Sequence, residues 1–114
     1  MREYSFTVDD KVYILRYDFN AVCDIEEKAG FGIPELMSQK RVGFSTARIV
    51  IWGGLTTPTN KMTIYEVGDL LQKYIKAGNE FEELVQKSMN LLAESISNDE
   101  SDKVIKKKTT KKKK

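Results

Sequence analysis

The chain has 114 residues, 40% hydrophobic and 32% charged, enough for one modest domain with a small core. It has no histidine and one cysteine, Cys23. That excludes an internal disulfide and a thiolate metal cluster, and removes the commonest general base and zinc ligand. Cys23 also lacks the histidine that usually activates a cysteine nucleophile, so it reads as an inert, half-buried thiol. No apolar run reaches the roughly 20 residues needed to cross a bilayer. Met1-Arg2-Glu3-Tyr4-Ser5 lacks the basic-then-apolar order of a secretory signal, so a cytosolic chain is expected. The net charge of +2 hides two unlike parts. Residues 1–96 carry 11 Lys and Arg against 14 Asp and Glu, a net of −3, whereas 97–114 carry 8 lysines against 3 acids, a net of +5.

The first element alternates. Tyr4, Phe6 and Val8 fall on one side of a strand, with Ser5 and Thr7 on the other. Asp9-Asp10 is a turn signal, because aspartate tolerates left-handed backbone. The run Val12-Tyr13-Ile14-Leu15-Arg16-Tyr17 is rich in β-branched and aromatic residues. A two-residue turn sets Phe6 opposite Tyr13 and Tyr4 opposite Leu15. The spacing therefore predicts a β-hairpin over 3–17 that packs on helices, since an isolated hairpin is marginal.

Asp18 or Asn20 starts a helix carrying Phe19, Val22, Cys23, Ile25 and Ala29. Asp24, Glu26 and Glu27 read as its solvated face, and Gly30 as its left-handed cap. Pro34 suits the first turn of a short helix with Leu36 and Met37. The stretch Phe44–Leu55 reads as a strand over Ile49–Trp52 by composition. Its spacing favours a helix, with Ser45 or Thr46 as cap and Phe44 as staple. Apolar residues nearly all round make it the most buried helix, with Gly53-Gly54 as its stop signal. Thr56–Asn60 is a loop. Thr63 and Glu66 form a capping box for a helix carrying Ile64, Val67, Leu70, Leu71, Tyr74 and Ile75. Gly68 inside it costs about 1 kcal/mol against alanine and suggests close approach of another helix. Asn79 reads as the cap of a last helix whose stripe is Phe81, Leu84, Val85, Ser88, Leu91, Leu92 and Ile96, with Glu80, Glu82 and Glu83 in its first turn.

The expected fold is α+β and mostly α: an N-terminal hairpin packed on a compact bundle of four or five helices over 1–96. Residues 97–114 carry almost no apolar surface, so they read as a disordered, lysine-rich basic tail. No carboxylate cluster has the spacing of a calcium loop, and neither glycine pair opens a phosphate loop. No catalytic, metal or cofactor residues are assigned, and a non-enzymatic binding role is expected. The hairpin aromatics suggest base stacking, but the acidic body favours a core face for them.

Three stretches carry a resemblance: Tyr17–Gly30, with Phe19-Asn20-Ala21 and Ile25-Glu26-Glu27; Arg48–Leu55, ending Trp52-Gly53-Gly54-Leu55; and Met62–Leu71, with its Thr63-x-x-Glu66 helix start. In order and spacing they resemble tail assembly chaperones of long-tailed phages and gene transfer agents, over roughly residues 3–95. Gly53-Gly54 stands where an Ala-Gly pair is more typical. The resemblance implies a non-enzymatic protein of the host cytoplasm, absent from the finished virion. Its partners would be the apolar tape-measure protein and the tail-tube protein; self-association stays open, and no membrane contact is expected. It also implies a longer product made by a programmed frameshift, which the lysine codons of 106–114 would suit.

A holder of an apolar partner presents an apolar helix face. The outer parts of Phe81, Leu84, Leu91 and Leu92 are the candidate partner-binding residues, against the alternative that they form the chain's own core. The competing function is a small nucleic-acid-binding accessory protein using the basic tail, whose charge carries no sequence readout. A chain ending at Ile96 is expected to unfold within about 1 kcal/mol of the full chain in a denaturant titration, because the removed residues bury little.

Overall fold

The fold is that of a computed structural model describing residues 3–55 and 62–97. An antiparallel hairpin, β1 (Tyr4–Val8) and β2 (Lys11–Leu15), precedes five helices: α1 (Phe19–Ala29), α2 (Ile33–Met37), α3 (Phe44–Leu55), α4 (Ile64–Lys76) and α5 (Phe81–Ser95). The expected α+β architecture is present. The expected loop 56–60 and the tail beyond Ser97 lie outside the described residues.

The hairpin has the expected register, Tyr4 opposite Leu15 and Phe6 opposite Tyr13. Both turn residues are left-handed, Asp9 at φ 52° and Asp10 at φ 66°, which matches the twist of the flanking strands. Phe6, Val8 and Leu15 are buried. Phe6 stacks on Tyr13 at 5.7 Å and meets Tyr74 of α4 edge-on at 5.5 Å, so cross-strand pairing and core packing act on one ring.

Asp18 caps α1 by accepting the Ala21 N–H at 2.8 Å, and Gly30 at φ 87° closes it. Glu26 does not belong to a purely solvated face. Its carboxylate accepts the Ile33 N–H at 2.7 Å and ties α1 to the start of α2, where the backbone lacks intrahelical partners. Phe19 departs from the expected stripe: it is 78% exposed, because it opens α1 and no earlier turn covers it.

Helix α3 is central, packing against α1, α4, α5 and β2, with Val50 and Ile51 fully buried. The reading of Gly53-Gly54 as a stop signal is corrected, since the helix runs through both to Leu55. A Cβ on Gly53 would overlap the Ile25 side chain of α1, and one on Gly54 would lie 2.6 Å from the Tyr17 ring. The pair is the contact surface itself. Ser45 and Thr46 are not caps either: α3 starts at Phe44, and the Gly43 carbonyl accepts the Ala47 N–H at 2.8 Å.

The capping box of α4 is complete, with Thr63 N–H to Glu66 Oε1 at 2.8 Å and Glu66 N–H to Thr63 Oγ1 at 3.1 Å. Asn79 caps the other helix from the one expected. Its amide donates to the Tyr74 carbonyl at 3.1 Å and closes α4, while Glu80 precedes α5 without a side-chain cap. Ile75 and Ile96 are 43% and 46% exposed and leave their expected stripes; Ile96 falls past the last turn of α5. Trp52 Nε1 donates to the Met62 carbonyl at 2.8 Å, which pins the entry to α4 against α3.

Tyr17, just after β2, is fully buried and donates to the Val50 carbonyl at 2.8 Å. Burial pushes its phenol well above the ordinary value of 10.0, and the neighbouring Ser88 hydroxyl opposes the shift in part.

This packing sets three expectations. Gly68 differs from the α3 pair, because an added Cβ would meet Arg48 only at ordinary contact, 3.5 Å from Cδ. Gly68→Ala is expected to stabilise the chain by up to about 1 kcal/mol by denaturant titration. Gly54→Ala is expected to destabilise it by about 1–3 kcal/mol, as overpacking does. For Tyr17, the unfolded phenol ionises near 10 and the folded one only well above that. Unfolded chains then bind fewer protons, so stability falls as pH rises above about 10, by roughly 1.4 kcal/mol per pH unit from this group. Tyr17→Phe removes that slope, which is read by comparing the two unfolding free energies from pH 8 to 11 (about 3 pH units).

Candidate partner-binding surface

The four residues expected to meet a partner occupy two depths. Leu84 and Leu92 are 0% exposed, in the core cluster with Leu15, Tyr17, Val50 and Ile51. Phe81 and Leu91 are half-buried and pack at the margin of that cluster. The cause is the helical period. Leu84, Ser88 and Leu92 repeat every four residues and form the innermost row of α5, leaving Phe81 and Leu91 at its sides. Ser88 tolerates this row because its hydroxyl donates to the Leu84 carbonyl at 2.8 Å.

Phe81 is joined by a residue that periodicity assigned elsewhere. The Phe44 ring lies 5.7 Å from that of Phe81, tilted by 32°, and is 78% exposed. The starts of α3 and α5 thus present a shared aromatic patch. Its sequence signal is weak, an aromatic residue at the first position of a helix, since the pairing depends on how two distant helices meet.

One turn beyond Phe44, Arg48 lies across α4. Its guanidinium is 5.6 Å from the Tyr65 ring centroid, and its stem passes over Gly68. The expected approach at Gly68 is therefore made by this side chain. The buried Arg48 Nε has no hydrogen-bond partner. Tyr65 is 74% exposed, so aromatic and cationic surface continues from the Phe44–Phe81 pair along α3 to the start of α4.

A separate groove of about 340 Å³ lies between the hairpin turn and α4. Val8, Tyr13, Met62 and Leu70 line it together with five charged residues, Asp9, Lys11, Glu66, Asp69 and Lys73. Lys73 pairs with Asp9 at 3.5 Å at the rim, an exposed ion pair that adds little stability. Lys11 lies 5.6 Å from the Tyr13 ring. Cys23 is half-buried in α1. Among the described residues, no three His, Cys, Asp or Glu side chains converge as a metal site, and no helix is long and apolar enough to cross a membrane.

Comparison with protein-family models, with curated proteins and with solved structures finds no match. The Phe44–Phe81 contact offers aromatic surface of the kind that suits the binding of another chain, whereas the groove mixes apolar with charged side chains.

Proposed function

We propose that the chain is a non-enzymatic tail assembly chaperone of a long-tailed phage, holding the tape-measure protein in the host cytoplasm while tail-tube subunits assemble around it. The observation that carries the reading is the ordered run of three motif stretches over roughly residues 3–95. The Phe44–Phe81 pair, with Phe44 exposed and Phe81 half-buried, supports it as a place where an apolar helix can land. On this reading Phe81 and Leu91 meet the partner directly. Leu84 and Leu92 do so only if α5 moves away from α3. A longer frameshift product, fusing this body to a second domain, belongs to the same proposal. The 8 lysines of residues 97–114 favour one other reading, an accessory protein that binds nucleic acid through charge alone.

Co-expression is expected to raise the soluble yield of the tape-measure protein and to co-purify it with the chain. Phe44→Ser is expected to lower that yield while changing unfolding stability by no more than about 1 kcal/mol, since the ring is mostly in water. No change in solubility and no co-purification overturns the proposal. Salt-dependent binding to mixed-sequence DNA in its place supports the second reading.

A further inference from the structure

The outer edge of β1 has the chemistry of an unfinished sheet. Val8 opposite Lys11 closes a two-residue turn, and that closing pair exchanges both hydrogen bonds. Hydrogen-bonded and non-hydrogen-bonded pairs then alternate, so Phe6:Tyr13 and Tyr4:Leu15 belong to the first kind. Thr7:Val12 and Ser5:Ile14 belong to the second. The N–H and C=O groups of Ser5 and Thr7 therefore point away from β2. Among the described residues, neither takes part in a backbone hydrogen bond to another element. Both side chains are exposed.

The two edges of the hairpin are not equivalent. On the β2 side, the Arg16 N–H leaves the strand and donates to the Gly54 carbonyl at 3.0 Å, so the end of α3 sits beside that edge. The strand Tyr-Ser-Phe-Thr-Val of β1 has no charge, proline, glycine or bulge. Those are the devices by which sheet edges normally refuse a further strand.

We propose that β1 pairs antiparallel with β1 of a second copy of this chain, joining two hairpins into a continuous four-stranded sheet. The reason for choosing a second copy is self-complementarity. A two-fold axis through Phe6 sets Ser5 opposite Thr7 of the second copy, and Thr7 opposite its Ser5. These become hydrogen-bonded pairs, so every outward backbone group of both residues is used. Hydroxyls face hydroxyls on the solvent side, and Tyr4 faces Val8 of the second copy on the inner side, both favourable cross-strand pairings. Glu3 and Asp9 meet at the ends of this register. These like charges oppose the pairing at its two ends, and Arg16, 3.5 Å from Glu3, and Lys73, 3.5 Å from Asp9, offset them only in part. The inference does not rest on the tail-assembly reading.

The test is analytical ultracentrifugation of the full chain from about 10 µM to about 1 mM, the range in which a small interface becomes half-occupied. Amide exchange of Ser5 and Thr7 is followed by NMR in parallel. The chain is expected to dimerise with rising concentration, and the two amides to slow as it does. Ser5→Lys/Thr7→Lys sets ammonium groups against one another across the two-fold axis. It is expected to weaken dimerisation at least about tenfold while leaving the inward amides of the hairpin protected. Val12→Lys/Ile14→Lys places the same charge on the same solvent face but off the β1 edge, and is expected to keep the dimer. A chain that stays monomeric at the highest concentration overturns the proposal. So does a dimer that the edge lysines do not weaken, or one in which the Ser5 and Thr7 amides still exchange fast. Protection of those amides in a monomer only when another protein is added assigns the edge to that protein's strand and equally overturns it.

Discussion

The structure depends on the close approach of α3 to the segment that runs from β2 into α1. Gly53 and Gly54 carry no side chains, so Ile25 and Tyr17 rest directly on the α3 backbone. Tyr17 then reaches the Val50 carbonyl, and Arg16 reaches the Gly54 carbonyl. The contact couples the hairpin, α1 and α3 in one place. Its strength comes from dense packing plus a buried hydrogen bond worth about 1 kcal/mol. The other helices are arranged around this joint: α5 packs on α3 and sets Ser88 beside Tyr17, and α4 brings Tyr74 edge-on to Phe6 of the hairpin.

With the inner faces engaged in this way, the surface is left with a particular set of apolar groups. Helix starts leave Phe19, Phe44 and Tyr65 largely in water, and the outer side of the hairpin leaves Val12 and Ile14 there. A small domain cannot cover all its apolar side chains, so isolated cases carry little meaning. The Phe44–Phe81 contact differs, because two helices distant in sequence bring aromatic rings together at the surface. At the β1 edge, by contrast, the outward backbone groups of Ser5 and Thr7 have no partner within the hairpin.

Local signals were legible wherever they act within a few residues. The hairpin register, the Gly30 terminator and the Thr63–Glu66 capping box each follow from short-range hydrogen bonding and backbone sterics, and Asp18 is the cap of the two that the sequence offered for α1, Asp18 and Asn20. Asn79 shows the limit of that logic. An amide that satisfies an orphan group at a helix end serves either the end of α4 or the start of α5. The positive φ of Gly78 folds the chain back so that Asn79 reaches the Tyr74 carbonyl.

The sequence by itself determined the class of fold, the order of elements and the burial of α3, because periodicity and capping are local properties of the chain. Tertiary structure alone decided what Gly53-Gly54 do, since a glycine pair that ends a helix and one that admits a neighbour look identical until the neighbour is placed. It also decided the depth of the α5 residues. Phe81, Leu84, Leu91 and Leu92 belong to one stripe by spacing, but the crossing of α5 over α3 buries Leu84 and Leu92 completely and leaves Phe81 beside Phe44 at the surface. Which apolar residues remain available to a partner is set by how the helices cross, and crossing geometry is a property of the packed interface rather than of any one segment.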